Sequence, residues 1–218
     1  PSANMGEGGT LESFLSWGVA NYPAEKMCVI LWDHSSGSID GVCNDENYGF
    51  DAITLSELSG ALKAVSEGMT DRFEVIGFDA CLMANYETAV TVAPYARYMI
   101  ASEEIEPSGG WDYESVTTRF ADEAYYENVL QAYQKKCEAQ GKQAYTLSHI
   151  DLTQFFAIQT AFDLFAENLL KVAPSGLKPI ADAATNAITF GYNSRLEGYS
   201  NLIDLADFAQ LLQQDNIK

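Results

Sequence analysis

MCVILWDH, residues 27–34, is the stretch that decides the fold. The apolar run from Met27 to Trp32 has the length of a strand and shows no alternation with polar residues. This pattern is typical of a strand that is covered on both faces in a parallel sheet. The run ends abruptly at Asp33 and His34. We therefore predict a buried strand with a carboxylate and an imidazole at its carboxyl end.

A second apolar run, from Phe73 to Phe78, has the same character and ends at Asp79 and Cys81. A helix is predicted directly after it, over 80–92, with Asp79 as its N-cap and Cys81 in its first turn. The positive end of a helix dipole lowers the pKa of a thiol and raises its thiolate fraction. This placement therefore suits a nucleophile.

Strands and helices alternate along this part of the chain. A capping box at Thr54 and Glu57 opens a helix with one apolar face. A third strand is predicted over 97–102, before the acidic, glycine-rich loop 103–113. Such alternation predicts parallel strands joined by right-handed crossovers, with functional loops at their carboxyl ends. The fold class is therefore α/β with a mostly parallel central sheet.

The rest of the chain is predominantly helical in pattern. Helices are predicted over 10–21, 124–139, 152–172, 178–188 and 202–212, a further strand over 144–150, and loops at the glycine-rich segments 6–9 and 37–51. We assign 1–151 to a catalytic core. The helical region 152–218 is expected to pack on this core or to extend it.

The charge balance limits the partners of this chain. It carries 12 Lys and Arg against 31 Asp and Glu, a net charge of -19. This charge repels phosphate backbones and anionic lipid, so neither nucleic acid nor a membrane surface is an expected partner. It either serves solubility alone or steers a basic substrate towards the protein, and the composition favours neither.

The cysteines and the common motifs exclude several classes of site. Four cysteines in 218 residues are too sparse for a disulfide scaffold, and their spacing does not suggest a zinc site. The sequence has no G-x-S-x-G elbow and no P-loop. Cys28, within a strand, and Cys137, on a helix, are predicted to be small buried hydrophobes.

Cys81 and His34 are the pair of residues that indicates a catalytic site. Each follows a buried strand at the same edge of the predicted sheet, and a thiol nucleophile is complementary to a group that transfers protons near neutral pH. Taken singly, each has a simpler interpretation, as a buried cysteine and as a structural histidine. His149, the other histidine, is predicted to lie inside a strand in a structural role.

Carboxylates near Cys81 are candidates for binding a basic side chain. Asp79 is the N-cap of the following helix, a buried carboxylate that recognises substrate, or both. Glu103, Glu104 and Asp112 of the acidic loop are further candidates for lining the same pocket.

The residues quoted so far resemble the clostripain family of cysteine peptidases. The motifs that carry the resemblance are VILWDH at 29–34, GFDACLMA at 77–84, NMG at 4–6, TLSEL at 54–58, SEEIEP at 102–107 and GWDY at 110–113. The resemblance covers most of the chain and is strongest over 10–113. It implies a caspase-like α/β/α sandwich that hydrolyses peptide bonds after Arg or Lys in peptides or proteins.

Carried over by position, the resemblance implies that His34 is the catalytic histidine, Cys81 the nucleophile and Asp79 the carboxylate that receives the basic side chain. The N–H groups of Ser35 and Cys81 are expected to bind the oxyanion. Ser35 departs from the glycine that is usual in the family at this position, although its peptide N–H remains. The alternative is a catalytically weak or inactive member that binds peptides or proteins in the same cleft.

No cofactor is required in this interpretation, and no residues are assigned to a metal site. Clostripain-like enzymes can depend on calcium, and one loop has the oxygen-rich composition that suits this ion. The residues of this loop that could bind calcium are Asp40, Asp45, Glu46, Asn47 and Asp51.

The resemblance also raises expectations about the rest of the protein. The family fold has strands before Thr10, so the first strands are expected to be missing here, with a separate N-terminal chain completing the sheet unless the chain is a fragment. Self-cleavage between His34 and Cys81 would need a basic residue, and 35–62 contains none. Any cut there is predicted to come from another specificity or from another protease. Similar proteins are mostly bacterial and exported, which predicts a secreted, cell-surface or periplasmic location.

Overall fold

The computed structural model describes residues 3–118, 120, 124–196 and 198–214. They fall into two compact units, Pro1–Thr153 and Gln154–Lys218. The elements of the first unit are α1 (Gly8–Asn21), β1 (Cys28–Trp32), β2 (Val42–Asp45), β3 (Asp51–Ile53), α2 (Leu55–Ser66), β4 (Phe73–Asp79), α3 (Tyr86–Val92), β5 (Ala96–Ala101), α4 (Tyr113–Thr117), α5 (Tyr125–Ala139) and β6 (Ser148–Asp151). The elements of the second unit are α6 (Phe155–Asn186), β7 (Thr189–Phe190), β8 (Asn193–Ser194), β9 (Gly198–Tyr199), β10 (Leu202–Ile203) and α7 (Leu205–Gln214).

A four-stranded sheet lies at the centre of the first unit, in the order β1-β4-β5-β6. β1 and β5 flank β4 and run parallel to it, whereas β6 is antiparallel to β5. The prediction of a mostly parallel central sheet is therefore confirmed. The strand predicted over 144–150 begins only at Ser148. It is antiparallel to β5 because the chain re-enters the sheet beside the carboxyl end of β5, where Ser148 pairs with Ala101.

Strand β4 is covered on both faces, as its continuous apolar run predicts. Alternate residues of a strand point to opposite faces, so Gly77 and Asp79 share one face while Ile76 and Phe78 share the other. Both Ile76 and Phe78 are fully buried. Trp111 packs so closely on Gly77 that a Cβ there would lie 2.9 Å from its ring.

The buried indole of Trp111 joins a hydrophobic cluster on this face of the sheet. Helix α5 contributes an apolar side to the cluster, and β4 and β5 contribute one residue each. The buried members are Val75, Ile100, Trp111, Val116, Tyr125, Val129, Tyr133 and Cys137. Cys137 is thus a buried core residue, as predicted.

The segment 37–51, predicted as a loop, contains a short hairpin. Strands β2 and β3 pair antiparallel, and Gly41 precedes them with a φ of 84°, a left-handed conformation that favours glycine. The hairpin is attached to the end of β1, because Cys43 N donates to His34 O at 3.1 Å. The loop prediction was therefore wrong for β2 and β3.

The helix after β4 begins later than predicted. Helix α3 starts at Tyr86, and Asn85 is its N-cap, with a side chain that accepts a hydrogen bond from Thr88 N at 2.8 Å. Leu82 has a φ of 63°, which is incompatible with a continuous right-handed helix. Cys81 therefore lies in a turn, and the predicted placement of Cys81 in a first helical turn was wrong.

Backbone contacts with the loop after β5 explain this late start. Leu82 N donates to Glu104 O at 3.2 Å, and Ala84 N donates to Ser102 O at 2.9 Å. These bonds replace the ones that a helix over 80–85 would form. Asp79 stays in β4 and accepts no bond from this segment, so its predicted role as an N-cap was also wrong.

The capping box at the start of α2 is confirmed. Glu57 N donates to Thr54 Oγ1 at 3.3 Å, and Thr54 N donates to Glu57 Oε2 at 3.0 Å. Helix α1 begins at Gly8 rather than Thr10, so the glycine-rich segment 6–9 is only partly a loop.

The second unit is built on one long helix. The two helices predicted over 152–172 and 178–188 are merged into α6, which is kinked at Gly176, where φ is -116° and ψ is 19°. Its small core consists of Ala183, Ala187, Phe208 and Leu212. Among the described residues, no helix combines the length and the apolar character needed to cross a membrane.

Candidate active site

The carboxyl ends of β1 and β4 place His34 and Cys81 at one edge of the sheet. The two strands are parallel neighbours, and their last paired residues are Trp32 and Asp79. His34 and Cys81 each follow two residues later in the chain. An imidazole and a thiol therefore lie just beyond the carboxyl ends of adjacent strands, at the same level of the sheet.

Cys81 is half-buried, and its Sγ accepts a hydrogen bond from Glu106 N at 3.2 Å. Burial raises the pKa of the Cys81 thiol above its usual value, and the nearby carboxyls of Glu106 and Asp79 act in the same direction. The Glu106 N–H opposes them by stabilising the thiolate. No helix dipole lowers this pKa, so activation of the thiol depends on a base.

His34 is exposed, and its backbone fixes its position. Its N–H donates to Asp33 Oδ1 at 2.6 Å, and its carbonyl accepts from Cys43 N. His34 borders an open pocket of about 620 Å³ whose other lining residues are Met5, Asp33, Asn44, Asp45, Glu46, Asn47 and Phe50. In the described part of the chain no hydrogen bond joins His34 to Cys81. Such bonds commonly tighten only when substrate is present.

Ser35 is buried, and its hydroxyl stabilises the loop after β1. Its Oγ donates to Gly41 O at 2.9 Å, accepts from Gly37 N at 3.1 Å, and lies 2.9 Å from Met83 Sδ. The side chain therefore links the segment after β1 to the segment after β4. Within the described ranges, no other residue accepts a hydrogen bond from the N–H of Ser35 or of Cys81.

Asp79 is buried at the end of β4 beneath the loop that follows β5. Only 3% of it is exposed, and its Oδ2 accepts a hydrogen bond from Trp111 N at 3.0 Å. Gly110 approaches it closely, because a Cβ at this position would lie 2.7 Å from Oδ2. Burial raises the pKa of the neighbouring Tyr113 hydroxyl, and the charge of Asp79 raises it further. The loop therefore covers the Asp79 carboxylate.

Glu106 is a site residue that the sequence analysis did not select. Its carboxyl lies beside Asp79, and its Oε1 accepts from Trp111 Nε1 at 3.3 Å. The run of three glutamates at 103–106 gives a weak signal, because it shows that the loop is acidic without showing which side chain turns inwards.

The other acidic candidates of this loop lie in different surroundings. Glu104 is half-buried, its Oε2 accepts from Ile105 N at 3.0 Å, and its carbonyl accepts from Leu82 N. Asp112 Oδ2 accepts from Ser115 Oγ at 2.6 Å, and Asp112 lines a separate pocket on α4 and α5. The roles of Glu104 and Asp112 in substrate binding stay predictions.

Lys136 of α5 forms hydrogen bonds with the loop that covers Asp79. Its Nζ donates to Gly109 O at 2.7 Å and to Trp111 O at 2.8 Å. These bonds fix both sides of Gly110, the residue that approaches the Asp79 carboxylate. This role could not be predicted from the sequence, because Lys136 lies 55 residues beyond Cys81 on a helix.

The oxygen-rich loop is held by the protein's own donors. Asp45 accepts from Met5 N and Asn47 N, both at 2.9 Å, and these bonds lower its pKa. Asp51 accepts from Asn4 Nδ2 at 2.5 Å. In the described ranges no cluster of three or more His, Cys, Asp or Glu could hold a metal ion. Calcium binding stays a prediction, and the mechanism below uses no metal.

Several solved structures share this fold. A secreted C11 cysteine protease from Bacteroides thetaiotaomicron, in complex with an irreversible peptide inhibitor, has a TM-score of 0.62 and 22% identity, over 73% of this chain and 49% of that chain. An inactive zymogen C11 protease from Parabacteroides distasonis has a TM-score of 0.65 and 18% identity, over 97% of this chain and 60% of that chain. The fold is that of caspase-like proteins.

The sequence comparisons identify the family within this class. The clostripain family model matches residues 1–217. Clostripain from Hathewaya histolytica is 26% identical over an alignment of 135 residues, and the match covers 54% of this chain and 25% of clostripain. This chain belongs to the clostripain family of cysteine peptidases. It spans about a quarter of the length of that curated relative.

Proposed function

We propose that this chain carries the active site of a cysteine endopeptidase that cleaves peptide bonds after Arg or Lys. The observation that carries the proposal is the register of β1 and β4, which sets His34 and Cys81 at the same level of one sheet edge. Asp79 supports the basic preference, because it is a buried carboxylate two residues before Cys81. The net charge of -19 favours the approach of basic substrates.

In the proposed mechanism His34 takes the proton of the Cys81 thiol. The thiolate attacks the carbonyl carbon of the peptide bond, and the electron pair of the C=O bond moves to its oxygen. The N–H groups of Ser35 and Cys81 donate to this oxyanion, and removal of one such donor would slow the reaction about 10²- to 10³-fold. The tetrahedral intermediate then collapses, the C–N bond breaks, and His34 gives its proton to the leaving amine.

Hydrolysis of the thioester completes the cycle. His34 takes a proton from water, the hydroxide oxygen adds to the acyl carbon, and the carbon–sulfur bond breaks. His34 returns its proton to the departing Cys81 thiolate, and the new carboxylic acid ionises in solvent to the carboxylate. The raised pKa of Cys81 in the free protein agrees with this order of events, because the thiol needs His34 to ionise.

We also propose that the protein acts outside the cytoplasm of a bacterium. Two of the solved structures that share its fold are described as secreted proteases. A separate N-terminal chain that pairs with β1 is a further part of the proposal. β1 is an outer strand of the sheet as described, so its free edge could accept another strand.

A fluorogenic peptide panel tests the activity. Peptides with Arg, Lys, Asp, Asn or Leu before the scissile bond are compared between the wild-type protein, Cys81→Ala and Cys28→Ala. Cys28 is also half-buried, but it lies inside β1, so its variant controls for the loss of a cysteine. Cleavage after Arg and Lys that persists in Cys28→Ala and vanishes in Cys81→Ala supports the proposal. Cleavage that survives Cys81→Ala contradicts it.

A further inference from the structure

Glu106 turns its carboxyl into the protein beside the nucleophile. Its backbone N–H donates to Cys81 Sγ at 3.2 Å, so the residue is anchored next to the thiol. Its Oε1 accepts from Trp111 Nε1 at 3.3 Å. Its Oε2 is fully buried and forms no hydrogen bond of good geometry within the described ranges. The Glu106 carboxyl nevertheless has a neighbour to bond, because its side chain interacts with that of Asp79.

The carboxyl of Glu106 lies against that of Asp79. Burial raises the pKa of Glu106 to about 10, and the interaction with Asp79 contributes to the rise. Glu106 is therefore protonated at neutral pH in the free protein. Asp79 accepts from Trp111 N, so one indole residue contacts both carboxyls through its main chain and its ring.

Several other ionisable side chains face this pair. They come from the loop after β4, from the start of α4 and from α5, and they are Cys81, Tyr113, Tyr133 and Cys137. Lys136, also on α5, is bonded to the carbonyls of Gly109 and Trp111. Glu106 and Asp79 are thus the two carboxyls of this buried group.

We propose that Glu106 is a second carboxyl of the specificity pocket, which contacts the cationic group of the substrate together with Asp79 and gives up its proton to solvent as that group binds. The inference rests on the proposed function and deepens it. The site thus loses one proton as it gains one substrate cation, so its total charge is unchanged.

This exchange of a proton for a cation predicts a characteristic dependence on pH. Where Glu106 is protonated in the free protein and ionised in the complex, each added pH unit should tighten cation binding by up to about 10-fold. The effect should continue as pH rises towards the pKa of about 10 and then level off. A neutral side chain in the substrate should show no such trend.

Calorimetry with benzamidine, a small cation, tests this without any turnover. Binding to Cys81→Ala is measured at pH 8 in phosphate and in Tris, whose different ionisation enthalpies reveal the number of protons released. We expect about one proton per benzamidine, and a logarithm of Kd that falls by about one per pH unit between pH 7 and 9. Adding Glu106→Gln, which keeps the shape of the side chain, should abolish the proton release and flatten the slope.

Tyr113→Phe is the matched control. Tyr113 also neighbours Asp79 and has a raised pKa but carries no carboxyl, so this variant should keep both the proton release and the slope. Benzamidine that binds Cys81→Ala without releasing a proton overturns the inference, as does a slope that survives Glu106→Gln. The first of these tests needs no substitution at Glu106, so it stands even if Glu106→Gln does not fold.

Peptide hydrolysis separates failure of the inference from failure of the proposed function. If wild-type protein cleaves after Arg but KM has the same pH dependence in Glu106→Gln, only the role of Glu106 is wrong. If the wild-type protein neither cleaves after Arg or Lys nor binds benzamidine, the proposed function is wrong and the inference falls with it.

Discussion

Trp32 and Asp79 are directly paired across the parallel strands β1 and β4. Tyr113 strengthens this pairing, because its ring centroid lies 6.0 Å from that of Trp32 and its hydroxyl interacts with Asp79. Since the register of a sheet sets the height at which each strand ends, His34 and Cys81 are expected to act as a unit. Both should be needed for catalysis, although they lie 47 residues apart in the chain.

His34→Ala should lower kcat/KM for an Arg peptide by about 10²- to 10⁴-fold, the usual contribution of a group that transfers protons. The thermal midpoint should hardly change, because the imidazole is exposed. His149→Phe, which removes the other histidine, should retain activity. Steady-state kinetics of the three proteins measure this, and equal activity of His34→Ala and wild type would exclude His34 from the mechanism.

The strands that position this pair could be predicted because their signal is local. Continuous apolar runs ended by polar residues specify β1 and β4, and parallel pairing then brings their ends together. The start of α3 could not be predicted in the same way. Asp79 and Asn85 are both acceptable N-caps, and the choice was decided by bonds from the 82–84 turn to the loop after β5.

Glu106 illustrates a second limit of the sequence. Its inward orientation depends on a hydrogen bond to Cys81, which lies 25 residues earlier in the chain, and on a contact with Trp111, which lies five residues later. The sequence indicates an acidic loop near the nucleophile, but it does not show which glutamate is buried. That choice is made by tertiary packing.

Gly110→Ala should disrupt the pocket around Asp79, whereas Gly141→Ala should leave it intact. Both glycines have positive φ, 58° for Gly110 and 70° for Gly141, so each substitution should cost about 1–2 kcal/mol of folding free energy. A Cβ at Gly110 would lie 2.7 Å from Asp79 Oδ2, whereas one at Gly141 would meet nothing within 4 Å. Urea denaturation should therefore give a loss for Gly110→Ala at least as large as that for Gly141→Ala, while kcat/KM for Arg peptides falls only in Gly110→Ala. Equal activity of the two variants would show that Gly110 does not shape the pocket.

His149→Phe should make the protein less sensitive to acid. The ring of His149 stacks on Tyr126 with centroids 4.0 Å apart, its Nε2 is buried without a hydrogen-bond partner among the described residues, and burial lowers its pKa despite the opposing charge of Asp151. The unfolded chain therefore binds a proton here more readily than the folded protein does. Wild-type stability should fall as pH drops below about 6.5, the value for an unfolded histidine.

Phenylalanine keeps the stacking and has no group to protonate. Urea midpoints measured at pH 7.5 and pH 5 should therefore fall less in His149→Phe than in the wild-type protein. His34→Ala, which removes an exposed imidazole, serves as the control, and its urea midpoint should fall between pH 7.5 and pH 5 as much as that of the wild type. If His149→Phe loses as much stability as the wild type over this range, the burial of His149 has no consequence for acid sensitivity.

Lys136→Met should weaken substrate binding more than it slows the chemical step. Lys136 Nζ bonds the carbonyls of Gly109 and Trp111, and hydrogen bonds to a charged group contribute about 1.5–3 kcal/mol, enough to raise KM for Arg peptides roughly 10-fold once the loop is freed. The thiol and the imidazole lie on other segments, so kcat should change less. Lys135→Met is the matched control, because Lys135 is exposed on the same helix and carries the same charge. A KM that rises equally in both variants would assign the effect to lost charge, and an unchanged KM in Lys136→Met would show that the loop over Asp79 holds its position without this lysine.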